Sequence, residues 1–189
     1  MSRGPAPLGV SGRVGTAIVS DGAGPRLLNA CQSVEGSSVA ESPPDLVAIN
    51  HDDYHAEHVG RTADGRQFFL TNPFEPASAV GASDGGEFVA LYLFDAAGKL
   101  LEATIDELGP RATVNEEERH RVYQQRLNGL GNVAFERIEV APFAVERFGT
   151  TFGLILRQPE DVDDPWAVEV MPGNYMAFFE PWDSGDYDT

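Results

Sequence analysis

Phe88-Val89-Ala90-Leu91-Tyr92-Leu93-Phe94, followed by Asp95-Ala96-Ala97-Gly98 and the run Leu100 to Ile105, is the stretch on which the fold turns. Seven consecutive residues without a charge are apolar on both faces of an extended chain, the pattern of a strand covered on both sides in mid-sheet. Asp95 to Gly98 supplies a short loop with glycine where a left-handed residue is needed. Leu100 to Ile105 then returns as a second strand with Leu101, Ala103 and Ile105 on one side. The spacing therefore predicts a β-hairpin at the centre of the domain.

Working outward, Leu46 to Ile49 is a short apolar run. His58-Val59-Gly60-Arg61 leads through Ala63-Asp64-Gly65 into Gln67-Phe68-Phe69-Leu70, a second hairpin. Downstream, Asn115 can cap a helix, with Glu116, Glu117 and Glu118 at its positive end. Tyr123, Leu127 and Leu130, with Val122 beside them, form its apolar stripe, and Gly129 or Gly131 ends it. Phe135 to Val140, Phe143 to Phe148, Thr151 to Leu156, Trp166 to Val170 and Tyr175 to Phe179 read as further strands. Pro142 separates the first two, and turns at Gly149-Thr150 and Pro172-Gly173-Asn174 separate later ones. The expected fold is α+β: one antiparallel β-sheet of seven or eight strands with one main helix packed on it.

Residues 1–44 are rich in Gly, Ala, Ser and Pro, have no sustained period and end in Ser42-Pro43-Pro44. They are expected to form a flexible tail ahead of a single domain over residues 45–189, with Val14 to Val19 as a marginal extra strand. Three basic and three acidic residues cancel within that tail. The whole net charge of −17 in this 189-residue chain thus falls on residues 45–189. Lys99 is the only lysine and no run of cations occurs, which argues against nucleic acid and anionic membranes as partners. Cys31 is the only cysteine, so no intramolecular disulfide can form, and no stretch approaches the ~20 apolar residues of a membrane span. The expected location is the cytoplasm.

No nucleophile motif or phosphate loop is present, and no catalytic residue or cofactor is assigned. The segment His51-Asp52-Asp53-Tyr54-His55-Ala56-Glu57-His58 concentrates histidines and carboxylates. On a helix His51 and His55 would share a face, as two zinc ligands do, with His58 nearby and Glu57 or Asp53 assisting. As a polar connector between strands, the same segment would carry no metal. The C-terminal stretch interleaves aromatics with acids. Trp182, Asp183, Asp186, Tyr187 and Asp188 are the candidate partner-binding residues, aromatics serving as anchors and acids steering a basic partner. The competing reading folds Trp182 and Tyr187 back to cap the core.

Four phrases stand together in order. They are Gly60-Arg61-Thr62-Ala63-Asp64-Gly65-Arg66-Gln67-Phe68-Phe69; Leu91-Tyr92-Leu93-Phe94-Asp95-Ala96-Ala97-Gly98; Pro142-Phe143 through Phe152-Gly153-Leu154-Ile155; and Pro181-Trp182-Asp183 with Tyr187-Asp188-Thr189. Over residues 46–189 this order resembles a family of small bacterial proteins often labelled formate hydrogenlyase regulatory protein. The resemblance implies a cytoplasmic bacterial protein with a regulatory role, and it implies no catalytic residues. The chain departs from it by the long N-terminal segment and by Ser184-Gly185-Asp186 ahead of the final Tyr-Asp-Thr.

The expected function is that of a small regulatory or accessory protein acting through its acidic surface on a protein partner. An immunity protein that neutralises a basic toxin is the sharper form of that reading. Two alternatives of other classes are a metal-dependent hydrolase built on residues 51–58 and a small-molecule sensor with a pocket between the helix and the sheet.

Overall fold

In a computed structural model of the chain, the described residues are 42–77, 84–161 and 164–189. Val14–Val19, Cys31 and nearly all of the expected tail lie outside them. The strands are β1 (Val47–Ile49), β2 (Val59–Thr62), β3 (Gln67–Thr71), β4 (Phe74–Glu75), β5 (Gly86–Phe94) and β6 (Leu100–Gly109), then β7 (Val133–Phe135) and β8 (Ile138–Val140), and finally β9 (Phe143–Arg147), β10 (Thr150–Arg157), β11 (Ala167–Met171) and β12 (Ala177–Phe178). A 3-10 turn at Arg111–Thr113 precedes helix α1 (Glu116–Gly129). The fold is α+β with every strand pair antiparallel.

The single expected sheet is three. β4, β5, β3, β2 and β7 follow one another in a six-stranded sheet that β6 completes against β5; β12-β11-β10-β9 form a second, and β1 and β8 a two-stranded ribbon. Alternation of apolar and polar residues marks a strand but not its neighbours, which is why one sheet and three read alike in the sequence. Phe135 to Val140 shows the consequence. It is two strands, residues 133–135 pairing with β2 and residues 138–140 with β1, and the chain changes sheet at Glu136-Arg137.

β5 is central as expected, and all nine of its residues are buried. Its alternate side chains serve two cores. Phe88, Ala90, Tyr92 and Phe94 join Phe69 and Val59 on one face, where Phe152, Leu154, Val168, Val170 and Phe178 of the four-stranded sheet meet them. Val89, Leu91 and Leu93 join Phe68 and Leu70 on the other, under Val122, Tyr123, Leu127 and Leu130 of α1. The result is three layers: helix, six-stranded sheet, four-stranded sheet. Each fully buried aromatic contributes about 2–3 kcal/mol from lost water contact. The Tyr92 hydroxyl has no protein hydrogen-bond partner among the described residues, although its ring packs edge-on to Phe143 at 4.9 Å.

Asn115 caps α1 as expected, its side chain accepting from the amides of Glu117 and Glu118 at 2.9 and 3.2 Å. Arg126 ties the far turn to β6 by a two-pronged pair with Asp106, at 2.7 and 2.6 Å. One expected orientation fails. A register shift between Leu93 and Phe94 inserts an extra residue in β6, so Leu100, not Leu101, packs with Ala103 and Ile105, and Leu101 is 56% exposed.

The β1/β8 ribbon is joined to the main sheet by Gln67, which is only 1% exposed. Its amide nitrogen donates to the carbonyls of Asp95 and Glu139 at 3.2 and 2.9 Å, and its oxygen accepts from the Glu139 amide at 2.8 Å.

Candidate functional site

The two stretches that sequence reading singled out separately, the connector after β1 and the C-terminal segment, lie against each other. The amides of Ala48 and Asn50 donate to the carbonyls of Trp182 and Gly185 at 2.9 and 3.0 Å. The Asn50 side chain donates to Ser184 O at 3.1 Å and to the Asp186 carboxylate at 3.3 Å. At the other end Ala177 and Asp188 exchange two backbone hydrogen bonds of 2.9 and 2.8 Å. Trp182 and Tyr187 are half-buried and pack on the main core, while Asp183, Asp186 and Asp188 are exposed. The two aromatics therefore anchor the segment, and its acids face water.

Asp52 closes the seam. One carboxylate oxygen accepts from the amides of Tyr54 and Ala56 at 2.8 and 2.9 Å, and the other accepts from the Tyr187 hydroxyl. Burial acts to raise the Asp52 pKa, but the Tyr187 hydroxyl and the two amides outweigh it and hold the group below the usual carboxylate value. Tyr187 is correspondingly pushed up to about 12, by burial first and by its bond to Asp52 second.

The connector is not helical, and its histidines do not converge. His51 stacks on Phe135 at 5.5 Å, His55 meets Tyr54 and Tyr187 at 4.1 and 6.0 Å, and His58 meets Tyr123 and Phe135 at 5.2 and 5.3 Å. Phe135 is thus in ring contact with both His51 and His58. Asp53 is exposed, and Glu57 reaches only to 3.7 Å from His58 Nδ1. Among the described residues no group of three or more His, Cys, Asp and Glu side chains is placed to hold a metal ion.

His58 instead belongs to a polar cleft of about 310 Å³ between the connector and α1, also lined by Glu57, Asn72, Arg119, His120, Tyr123 and Gln124. The Tyr123 hydroxyl lies 2.9 Å from His58 Nδ1 and donates to Leu70 O at 3.2 Å. A single hydroxyl proton serves Leu70 only if His58 carries its own proton on Nδ1. Burial holds the imidazole below its ordinary value, against the opposing pull of Glu57. Tyr123 was legible in the sequence only as part of an apolar stripe; its hydroxyl is what the cleft uses.

Charge is distributed unevenly. Every arginine among the described residues except Arg147 has a carboxylate within ion-pair distance: Arg61 with Glu136, Arg66 with Asp64, Arg111 and Arg119 with Glu87, Arg121 with Glu118, Arg126 with Asp106, Arg137 with Glu139 and Arg157 with Glu169. None of these cations reaches the seam acids Asp53, Glu180, Asp183, Asp186 or Asp188. Glu87 is buried between its two arginines, and burial still raises its pKa. Among the described residues no helix is long and apolar enough to cross a membrane. Comparison with protein-family models, curated proteins and solved structures finds no match.

Proposed function

We propose that this chain is a small cytoplasmic regulatory or accessory protein that works by binding a basic protein partner at the seam between the connector and the C-terminal segment. The observation that carries the reading is the division of charge: among the described residues every arginine but Arg147 pairs with a carboxylate elsewhere, and no arginine or lysine is within ion-pair distance of Asp53, Glu180, Asp183, Asp186 or Asp188. Such a surface steers cationic partners and repels nucleic acid and anionic lipid. The regulatory role rests on the sequence resemblance, and neutralisation of a basic toxin is the same mode of action with a toxin as the partner. The hydrolase alternative finds no support in the divergent histidines.

The test is retention of a partner on the immobilised full chain across a salt series, with an Asp183→Asn/Asp186→Asn/Asp188→Asn variant beside it. Retention should weaken steeply between about 0.05 and 0.5 M salt, where the screening length falls from roughly 14 to 4 Å. The triple variant should retain little at any salt. Retention indifferent to both salt and substitution would sink the proposal.

A further inference from the structure

The outer face of the four-stranded sheet holds a second, different surface. Val168, Val170 and Phe178 fill the core, so strand alternation sends Glu169, Met171 and Ala177 to the opposite face, where they are half-exposed. There Met171, Tyr175, Ala177 and Phe179 ring an apolar bowl of about 410 Å³, which backs onto the core residue Met176, itself only 1% exposed. Tyr175 stands at its mouth, 65% exposed, its backbone at a φ of 56° that few side-chain-bearing residues adopt, and its ring 5.4 Å from Phe74. Asp188 forms the rim through its paired contact with Ala177.

We propose that this bowl takes one large apolar side chain of a peptide segment whose neighbouring residues are lysine or arginine. The size fits a buried anchor group, and the lining is the aromatic and methionine surface that such anchors favour. The charge around it selects the rest. Glu169 is satisfied by Arg157 at 2.8 Å, which leaves the Asp188 carboxylate at the rim as the acid at hand for a cation flanking the anchor. A second copy of this chain would bring the same acids against these, and an anionic lipid surface would meet like charge, so both are poor occupants. The inference rests on the proposed partner-binding role and adds to it the chemistry of the bound segment.

Selection of a random-peptide display library on the immobilised full chain tests it, followed by amide chemical-shift mapping with a selected peptide and affinity measurement on Tyr175→Gly. That substitution removes the ring and relieves the left-handed backbone, so the fold is retained, which an unchanged melting temperature verifies. Selected sequences should share a large apolar residue next to Lys or Arg. Shifts should centre on Met171 and Ala177, and Tyr175→Gly should weaken binding about tenfold, the loss of one aromatic anchor. Asp188→Asn is the second variant and should weaken binding at low salt only.

Peptides rich in Lys and Arg alone, bound equally by Tyr175→Gly, would overturn the bowl while leaving the acidic-seam reading in place. Apolar peptides lacking cations would overturn the charge selection. Absence of any selected peptide would overturn the inference altogether, whereas the seam reading stands or falls separately on its salt series and triple variant.

Discussion

Gly185→Ala is the perturbation that most directly tests how the C-terminal segment is held. Gly185 has a φ of 78°, and a methyl group there would sit 2.3 Å from Asn50 Oδ1 and 2.4 Å from Asn50 Cγ. Left-handed backbone costs a residue with a Cβ about 1–2 kcal/mol. The clash must also displace Asn50, whose side chain bonds to Ser184 and Asp186 and whose amide bonds to Gly185 O. Losing one or two such bonds adds about 1–2 kcal/mol, for a total of about 2–4 kcal/mol. Gly65→Ala supplies the control, because Gly65 has a φ of 86° and nothing within 4 Å of the added methyl. It should cost only the backbone part, about 1–2 kcal/mol. Urea unfolding of both variants gives the difference, and hydrogen exchange at the Ala48 and Asn50 amides reports whether the segment has lifted. Equal losses in the two variants, with unchanged protection at Ala48 and Asn50, would refute the packing of Gly185 on Asn50.

Further outcomes follow from other contacts. Tyr92→Phe removes a buried hydroxyl with no protein partner and should leave stability unchanged or raise it by about 1 kcal/mol; a loss of that size in urea unfolding would reveal a hydrogen bond the contacts do not account for. Arg126→Met cuts the pair to Asp106 but keeps much of the stem, and a loss of about 1 kcal/mol is expected for a partly exposed pair, shrinking in high salt. Because the folded His58 pKa is lowered, the unfolded chain binds more protons just below its ordinary value of 6.5, so the stability due to this group falls as pH drops from 6.5 toward the folded value. His58→Gln should flatten that part of the stability profile, measured by urea midpoints between about pH 7 and 5. Tyr187→Phe removes the donor to Asp52 and should raise the Asp52 pKa, read by carboxyl-carbon titration; an unmoved value would show that the two amides alone hold it down.

Much of the domain is legible in the sequence where one local pattern has one structural meaning. The uncharged run Phe88 to Phe94 is covered on both faces, and Asn115 with three glutamates after it starts a helix. The reading fails where the outcome depends on distant chain. Leu101 is turned outward by one inserted residue that alternation alone does not announce. Glu136-Arg137 divides an unbroken-looking strand because residues 133–135 and 138–140 find different partners, with Arg61 pairing Glu136 at 2.9 Å beside the break. The seam is illegible for the same reason: Asp52 and Tyr187 are 135 residues apart, and neither segment signals the other. In the sequence they stand out only as two unrelated stretches.

The buried Gln67 carboxamide adds a polar check to the seating that apolar burial already favours. Sliding the β1/β8 ribbon by one residue turns its apolar side chains to water, so the hydrophobic effect opposes that step. The same step turns the Glu139 N–H and C=O away from Gln67, because backbone polar groups alternate along a strand as side chains do. Such a slip would strand the Gln67 oxygen and one of its N–H groups out of reach of water, at about 1–3 kcal/mol for each orphan. One interior amide thus acts as a second lock on the odd-numbered register slips, and its replacement by an apolar residue of similar size should leave the Glu139 N–H and C=O without that partner and loosen the ribbon while the domain still collapses.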